Sequence, residues 1–142
     1  MLLDMVLALT VLLLLFAIVW PFLGRNTTTT QQAATALDIA TLLRMDRASA
    51  SRTGVATGTR INLNQRVLIG SDGRQILVPA DLTLEVLTGT TCRRTAREFV
   101  IAFLPDGSSC GGIISLAKNN RSYAVRFNWL TGLIDVVETT KS

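Results

Sequence analysis

Nineteen residues from Met5 to Leu23, MVLALTVLLLLFAIVWPFL, carry no charge, and their one polar side chain is Thr10. At the rise of an α-helix such a run spans about 28 Å, close to the roughly 30 Å hydrocarbon core of a bilayer. A helix buried inside a globular domain is rarely so uniformly apolar. A cleavable secretory signal would have an apolar stretch of about 7–15 residues, a positive segment before it and a small-residue cleavage site after it. No Lys or Arg precedes this run, and WPFLGRN offers no A-x-A pattern. The reading is therefore a retained transmembrane helix over residues 1–24. Trp20 suits the outer interface. Pro21 lacks a backbone donor and marks a helix break near the far end.

Asp4 stands at the edge of this run. A carboxylate costs about 2.5–3.5 kcal/mol at the centre of a membrane and less near its surface. Two readings fit. Asp4 lies at headgroup level and favours the helix N-terminus through the macrodipole, or it pairs with a positive group on a neighbouring subunit, such as a free α-amino terminus.

Residues 25–30, RNTTTT, are polar and form either a linker or a frayed helical stretch. From Gln31 to about Ser51 apolar residues recur at three- and four-residue spacing: Ala33, Leu37, Ala40 and Leu43, with Ala36, Ile39, Leu42 and Met45 beside them. Residues 25–54 therefore read as an amphipathic helix whose apolar stripe packs under a sheet, with Gly54 as its stop. Beyond it, period-two alternation takes over. Seven to eight strands are expected at 55–61, 66–69, 75–78, 82–87, 98–104, 112–116, 122–128 and 133–137. Turn chemistry at Ser71-Asp72-Gly73, Pro105-Asp106-Gly107, Asn119-Asn120 and Thr131-Gly132 separates several of them. The fold class is α+β: a long N-terminal helix, half transmembrane and half amphipathic, packed on an antiparallel, sandwich-like β domain over 55–142.

The composition narrows the chemistry. The chain contains no histidine, which removes the commonest general base and metal ligand. No catalytic, cofactor-binding or metal-binding residues are expected. Asp72, Asp81 and Asp106 lack the dense spacing of a calcium loop and read as turn residues. The PDGSSCGG stretch lacks the ending of a phosphate-binding loop. The net charge of +4 is scattered. Its densest group, Arg93, Arg94 and Arg97, is followed by Glu98 and has no interleaved aromatic residues, so nucleic-acid binding is not indicated. Cys92 and Cys110 are too few for a zinc site and too far apart for a CxxC pair. In an exported domain they suggest a disulfide, worth about 3 kcal/mol for so short a loop. Two buried free thiols are the alternative.

Two regions carry a resemblance. Asp4 and Pro21 match the early acidic residue and later proline of a long apolar helix. The stretch PDGSSCGGIISLAKNNRSYAVRFNWLTGLIDV, with Val78-Pro79-Ala80-Asp81-Leu82 upstream, has a P-D-G turn, a G-G strand start and an L-T-G turn before the last strand. Together they resemble the type IV pilin-like family, and within it the H-type minor pseudopilins of type II secretion. Asp4 departs from the usual Glu and stands one position early. Leu133 replaces a frequent arginine, and the cysteine pair is outside the general pattern. No leader ending in glycine is present, which leads to the expectation of a processed or truncated chain.

The resemblance implies a bacterial inner-membrane protein, single-pass, with its C-terminal domain in the periplasm. It implies a leader cut and an N-terminus methylated by a prepilin peptidase, and assembly with major and minor pseudopilins on an inner-membrane platform, in contact with membrane lipid. It implies no enzyme activity: the chain would be a structural subunit at or near the tip of the pseudopilus, with Asp4 paired to a neighbour's N-terminal amine. The alternative of the same fold is a minor type IV pilin acting in pilus assembly or DNA uptake.

Overall fold

In the computed structural model, residues 1–23 and 27–140 are described, with side chains for 1–20 and 31–139. Two compact units result, Met1–Gln31 and Gln32–Ser142. Helix α1 covers Leu2–Leu23 and helix α2 covers Thr27–Thr53. The backbone is helical at Pro21 and from Thr27 onward, whereas residues 24–26, where the expected linker begins, lie outside the described residues. Gly54 closes α2 in the left-handed conformation (φ 71°), its amide bonding back to the Ala50 carbonyl at 3.0 Å, a cap that glycine adopts without a Cβ clash.

Nine strands follow among the described residues: β1 Thr57–Asn62, β2 Val67–Ile69, β3 Gln75–Leu77, β4 Thr83–Thr88, β5 Arg93–Arg94, β6 Glu98–Phe103, β7 Gly112–Lys118, β8 Arg121–Phe127 and β9 Ile134–Thr140. All eight expected strands are present. The ninth, β5, escaped the pattern because it is two arginines long and has no alternation to read. The strands form two antiparallel sheets, ordered β3-β2-β1-β6-β5 and β4-β7-β8-β9.

Alternation decides which side of each sheet meets the core. Ile61, Leu68, Ile101 and Phe103 point inward from the first sheet, and Ile114, Leu116, Val125 and Phe127 from the second. They join Ile39, Leu42 and Leu43 of α2 in one apolar cluster. Three members of the expected helical stripe fall outside it: Ala33 is half-buried, Leu37 is 54% exposed and Met45 37%. The buried face of α2 also carries polar side chains, namely Gln32, Thr35 and Asp46, beside Ile39 and Leu43.

Those polar groups dock the helix onto both sheets. Gln32 Nε2 donates to the carbonyls of Leu116 (2.9 Å) and Arg121 (3.1 Å) in the second sheet. Arg44 donates to the Ile134 carbonyl at 2.9 Å. On the first sheet's side, the Asp46 carboxylate accepts from the Thr59 hydroxyl, and from the Ser71 amide (3.1 Å) and hydroxyl (2.7 Å). Thr57 Oγ1 donates to the Asp46 carbonyl at 2.7 Å. A buried carboxylate is tolerable because hydroxyl and amide donors replace its water.

The chain passes between the sheets three times, after β3, after β4 and after β6. The first passage, around Pro79, is clamped by Arg66, whose guanidinium donates to the carbonyls of Pro79 (2.9 Å) and Leu82. Nearby, Lys118 Nζ sits 2.5 Å from Asp81 Oδ2. That hydrogen bond holds the Asp81 carboxyl below the usual carboxylate range.

Two outcomes follow. Asp46→Ala removes the acceptor of a fully buried Thr59 hydroxyl and should lower stability by about 3 kcal/mol, read from denaturant unfolding. Asp81 titrates lower folded than unfolded, so its pairing stabilises the protein above the ordinary carboxylate range. That contribution is lost as pH falls through the depressed folded value. In Lys118→Met, NMR titration should find the Asp81 pKa moved up toward the ordinary value.

Candidate assembly surfaces

Two surfaces stand out, one in each unit. In the first, the large apolar side chains from Met1 to Trp20 are 51–106% exposed. The span Leu2–Trp20 has a mean hydropathy of 2.9 and is long and apolar enough to cross a membrane. Each Leu, Ile, Val or Phe favours insertion by about 0.3–0.6 kcal/mol. The many such residues of this span together outweigh one carboxylate near the end of the helix. Thr10 adds little opposition, because its hydroxyl bonds back to the Val6 carbonyl at 2.6 Å. Asp4 lies in the first turn of α1 and is exposed, where a negative charge suits the helix dipole. Pro21 lies within α1.

In the second unit, the third inter-sheet passage (residues 104–111) and the turn after β8 pack against each other. Cys92 and Cys110 are joined by a disulfide, with Cα atoms 5.1 Å apart. The Leu104 carbonyl accepts the Gly107 amide at 2.9 Å, and Asp106 Oδ1 accepts from the Ser108 hydroxyl at 2.6 Å and amide at 3.0 Å. Those two donors hold the Asp106 carboxyl below its ordinary value. Arg47 of α2 reaches over both turns, donating to the carbonyls of Gly107 and Thr131 at 3.0 Å each. Gly132 fits against them with no spare room: a Cβ there would lie 1.7 Å from the Gly107 oxygen.

This packing frames an open cleft of about 820 Å³, whose lining includes Thr90, Thr91, Leu104, Gly111, Trp129 and Leu130. Trp129 and Leu130 are each 64% exposed and Leu133 is 59% exposed. Asn128 shapes their turn, its side-chain oxygen accepting the amides of Leu130 and Thr131. Among the described residues no group of three or more His, Cys, Asp or Glu lies where it could hold a metal ion.

The structure therefore joins the two cysteines picked from sequence. It also adds residues that sequence reasoning passed over. Arg47 reaches the Gly107 and Thr131 carbonyls, in turns distant from α2 in sequence, which no local pattern signals. Trp129 and Leu130 lie just past β8 in the Asn128 turn, and Trp129 continues the two-residue spacing of Tyr123, Val125 and Phe127, so the pattern alone does not mark it as exposed.

An apolar N-terminal helix, a second helix and two antiparallel sheets define the α+β fold of pilin-like proteins. No protein-family profile and no curated protein matches the sequence. Among solved structures the chain is similar to the minor pseudopilin EpsH from the Type 2 Secretion System of Vibrio cholerae. The two share 15% sequence identity at a TM-score of 0.59, over 75% of this chain and 95% of that one. The likeness is one of fold.

Gly132 and Gly54 make a matched pair, since both have positive φ (70° and 71°) but a Cβ at Gly54 would meet nothing within 4 Å. Gly54→Ala should cost about 1–2 kcal/mol, the left-handed penalty alone. Gly132→Ala should cost at least about 3 kcal/mol. Thermal melting of the two variants side by side checks the difference.

Proposed function

We propose that this protein is a minor pseudopilin, a structural subunit of a type II secretion pseudopilus acting at or near its tip in assembly and protein export. The observation that carries the reading is the pairing of a fully exposed apolar helix with a folded domain like that of EpsH. In this reading the helix crosses the bacterial inner membrane once and the β domain lies in the periplasm. A prepilin peptidase processes the N-terminus, and the chain joins other pseudopilins on the inner-membrane platform.

The role of Asp4 follows from electrostatics. In the apolar centre of a helical filament, an amine and a carboxylate are each unfavourable alone and tolerable together. Asp4 pairs with the N-terminal amine of a neighbour and so sets the axial step between subunits. Pro21 does not break α1, which runs on to Leu23, but its missing backbone donor weakens the helix locally on the far side of the bilayer.

The test is cysteine crosslinking in cells, with reporters on the exposed face of α1, comparing wild type with Asp4→Ala. Removing one partner of a buried ion pair costs about 3–5 kcal/mol, so crosslinks to other pseudopilins should fall at least about tenfold. Membrane insertion, read by fractionation, should be unchanged. Crosslinks to pilus subunits or to DNA, with none to pseudopilins, would replace this reading with that of a minor type IV pilin.

A further inference from the structure

The second passage between the sheets, residues 89–97, is held in an unusual way. It leaves β4, crosses to the first sheet, and returns as β6 after only two ladder pairs, Arg93↔Val100 and Arg94↔Phe99. Among the described residues 89–97, Cys92 alone is buried. The rest of its fastening is exposed or half-buried, including the Leu63 amide donating to the Arg97 carbonyl at 3.3 Å. Gly89 N donates to the Gly111 carbonyl at 2.8 Å, and Thr91 Oγ1 to the Cys110 carbonyl at 3.3 Å. Arg94 lies over the Phe99 ring at 5.3 Å. These few exposed or half-buried hydrogen bonds and one cation–π contact at the exposed Arg94 are open to competition from water, so they hold a nine-residue segment weakly. Segments with few buried apolar contacts are the ones that open locally, without global unfolding.

The two sheets do not depend on this segment. The core of Ile61, Phe103, Leu116 and Val125 receives no side chain from it except Cys92, and β1 pairs with β6 along its whole length. Gly89, Thr90 and Thr91 do form one wall of the cleft beside Trp129.

We propose that residues 89–97 are a redox-held strap: the Cys92–Cys110 bond anchors it, and reduction releases it while both sheets stay folded. A dithiol reductant breaks the S–S bond and supplies two electrons and two protons. Both cysteines become thiols and the reductant closes to its own disulfide. Freed at Cys92, the strap lifts from β6, the cleft loses a wall, and the arginines at 93, 94 and 97 leave their fixed positions. An oxidising compartment is then what fixes this face of the molecule, beyond what the disulfide adds to overall stability.

The strap contains its own reporter, because trypsin cuts after arginine and needs a locally open chain. The full-length protein in detergent micelles is reduced with dithiothreitol until mass spectrometry finds both thiols free, then digested briefly beside the oxidised form. Arg60 and Arg66, in and beside the first sheet, are internal controls. Cleavage after Arg93, Arg94 or Arg97 should rise about tenfold or more on reduction, while cleavage after Arg60 and Arg66 does not change. The double variant Cys92→Ala, Cys110→Ala should behave as the reduced protein without reductant. Equal strap cleavage in both redox states, whether fast or absent, overturns the proposal, because the bond then does not hold the strap. A parallel rise at Arg60 and Arg66 also overturns it, because the bond then holds the whole domain.

Discussion

The folded domain depends on polar side chains of α2 reaching the main chain and hydroxyls of both sheets. Apolar burial brings Ile39, Leu42 and Leu43 to the centre, but apolar contact is non-directional and would tolerate a helix rotated or slid along its axis. Gln32 on two carbonyls of the second sheet, Asp46 on Thr59 and Ser71, and Arg47 on two turns fix the helix in rotation and translation together. Each bond contributes only modestly in net terms, yet leaving Gln32 or Asp46 unmatched in the interior is expensive. A misdocked helix is penalised several times over. That asymmetry is how a small core of short strands settles on one arrangement.

Much of the architecture is legible in the sequence because it obeys simple periods. The change from a three-to-four residue repeat to alternation at Gly54 separates helix from sheet, and Leu82–Val86 and Val125–Phe127 give their inward faces directly. What could not be read has a common cause. β5 is held by its partner strand and not by its own pattern. Leu37 and Met45 fit the three- and four-residue spacing but lie off the buried face of α2, part of which is taken by the polar Gln32, Thr35 and Asp46. Asp46, by its type, belongs on a surface. Only the fold reveals that Thr59 and Ser71 are waiting for it. Local period is encoded in neighbours along the chain, whereas buried polar pairing is encoded in residues that meet only after folding.

The candidate assembly surfaces differ in the same way. The exposure of α1 is predictable because a run of such uniform hydrophobicity has no sided pattern, and a one-sided partner cannot bury it. The cleft beside Trp129 is not predictable, since it arises from how the 104–111 passage, the 89–97 strap and the turn after β8 lean on one another. The helix long and apolar enough to cross a membrane and the two sheets fall in two separate units.

The strand order has a kinetic consequence. β1-β2-β3 and β7-β8-β9 are meanders whose neighbours follow one another along the chain, so each can form locally. The middle of the chain belongs to neither: β4 is laid beside β7, while β6 goes back beside β1. Until that exchange is made, each meander presents a bare edge and half a core. Loop closures of this kind are slow and leave strands open to the wrong partner. The segment from Thr83 to Phe103 therefore acts as the thread that sews two half-formed sheets together. Errors in production of this domain are expected to be misthreaded or strand-exchanged dimers more often than loosely packed monomers.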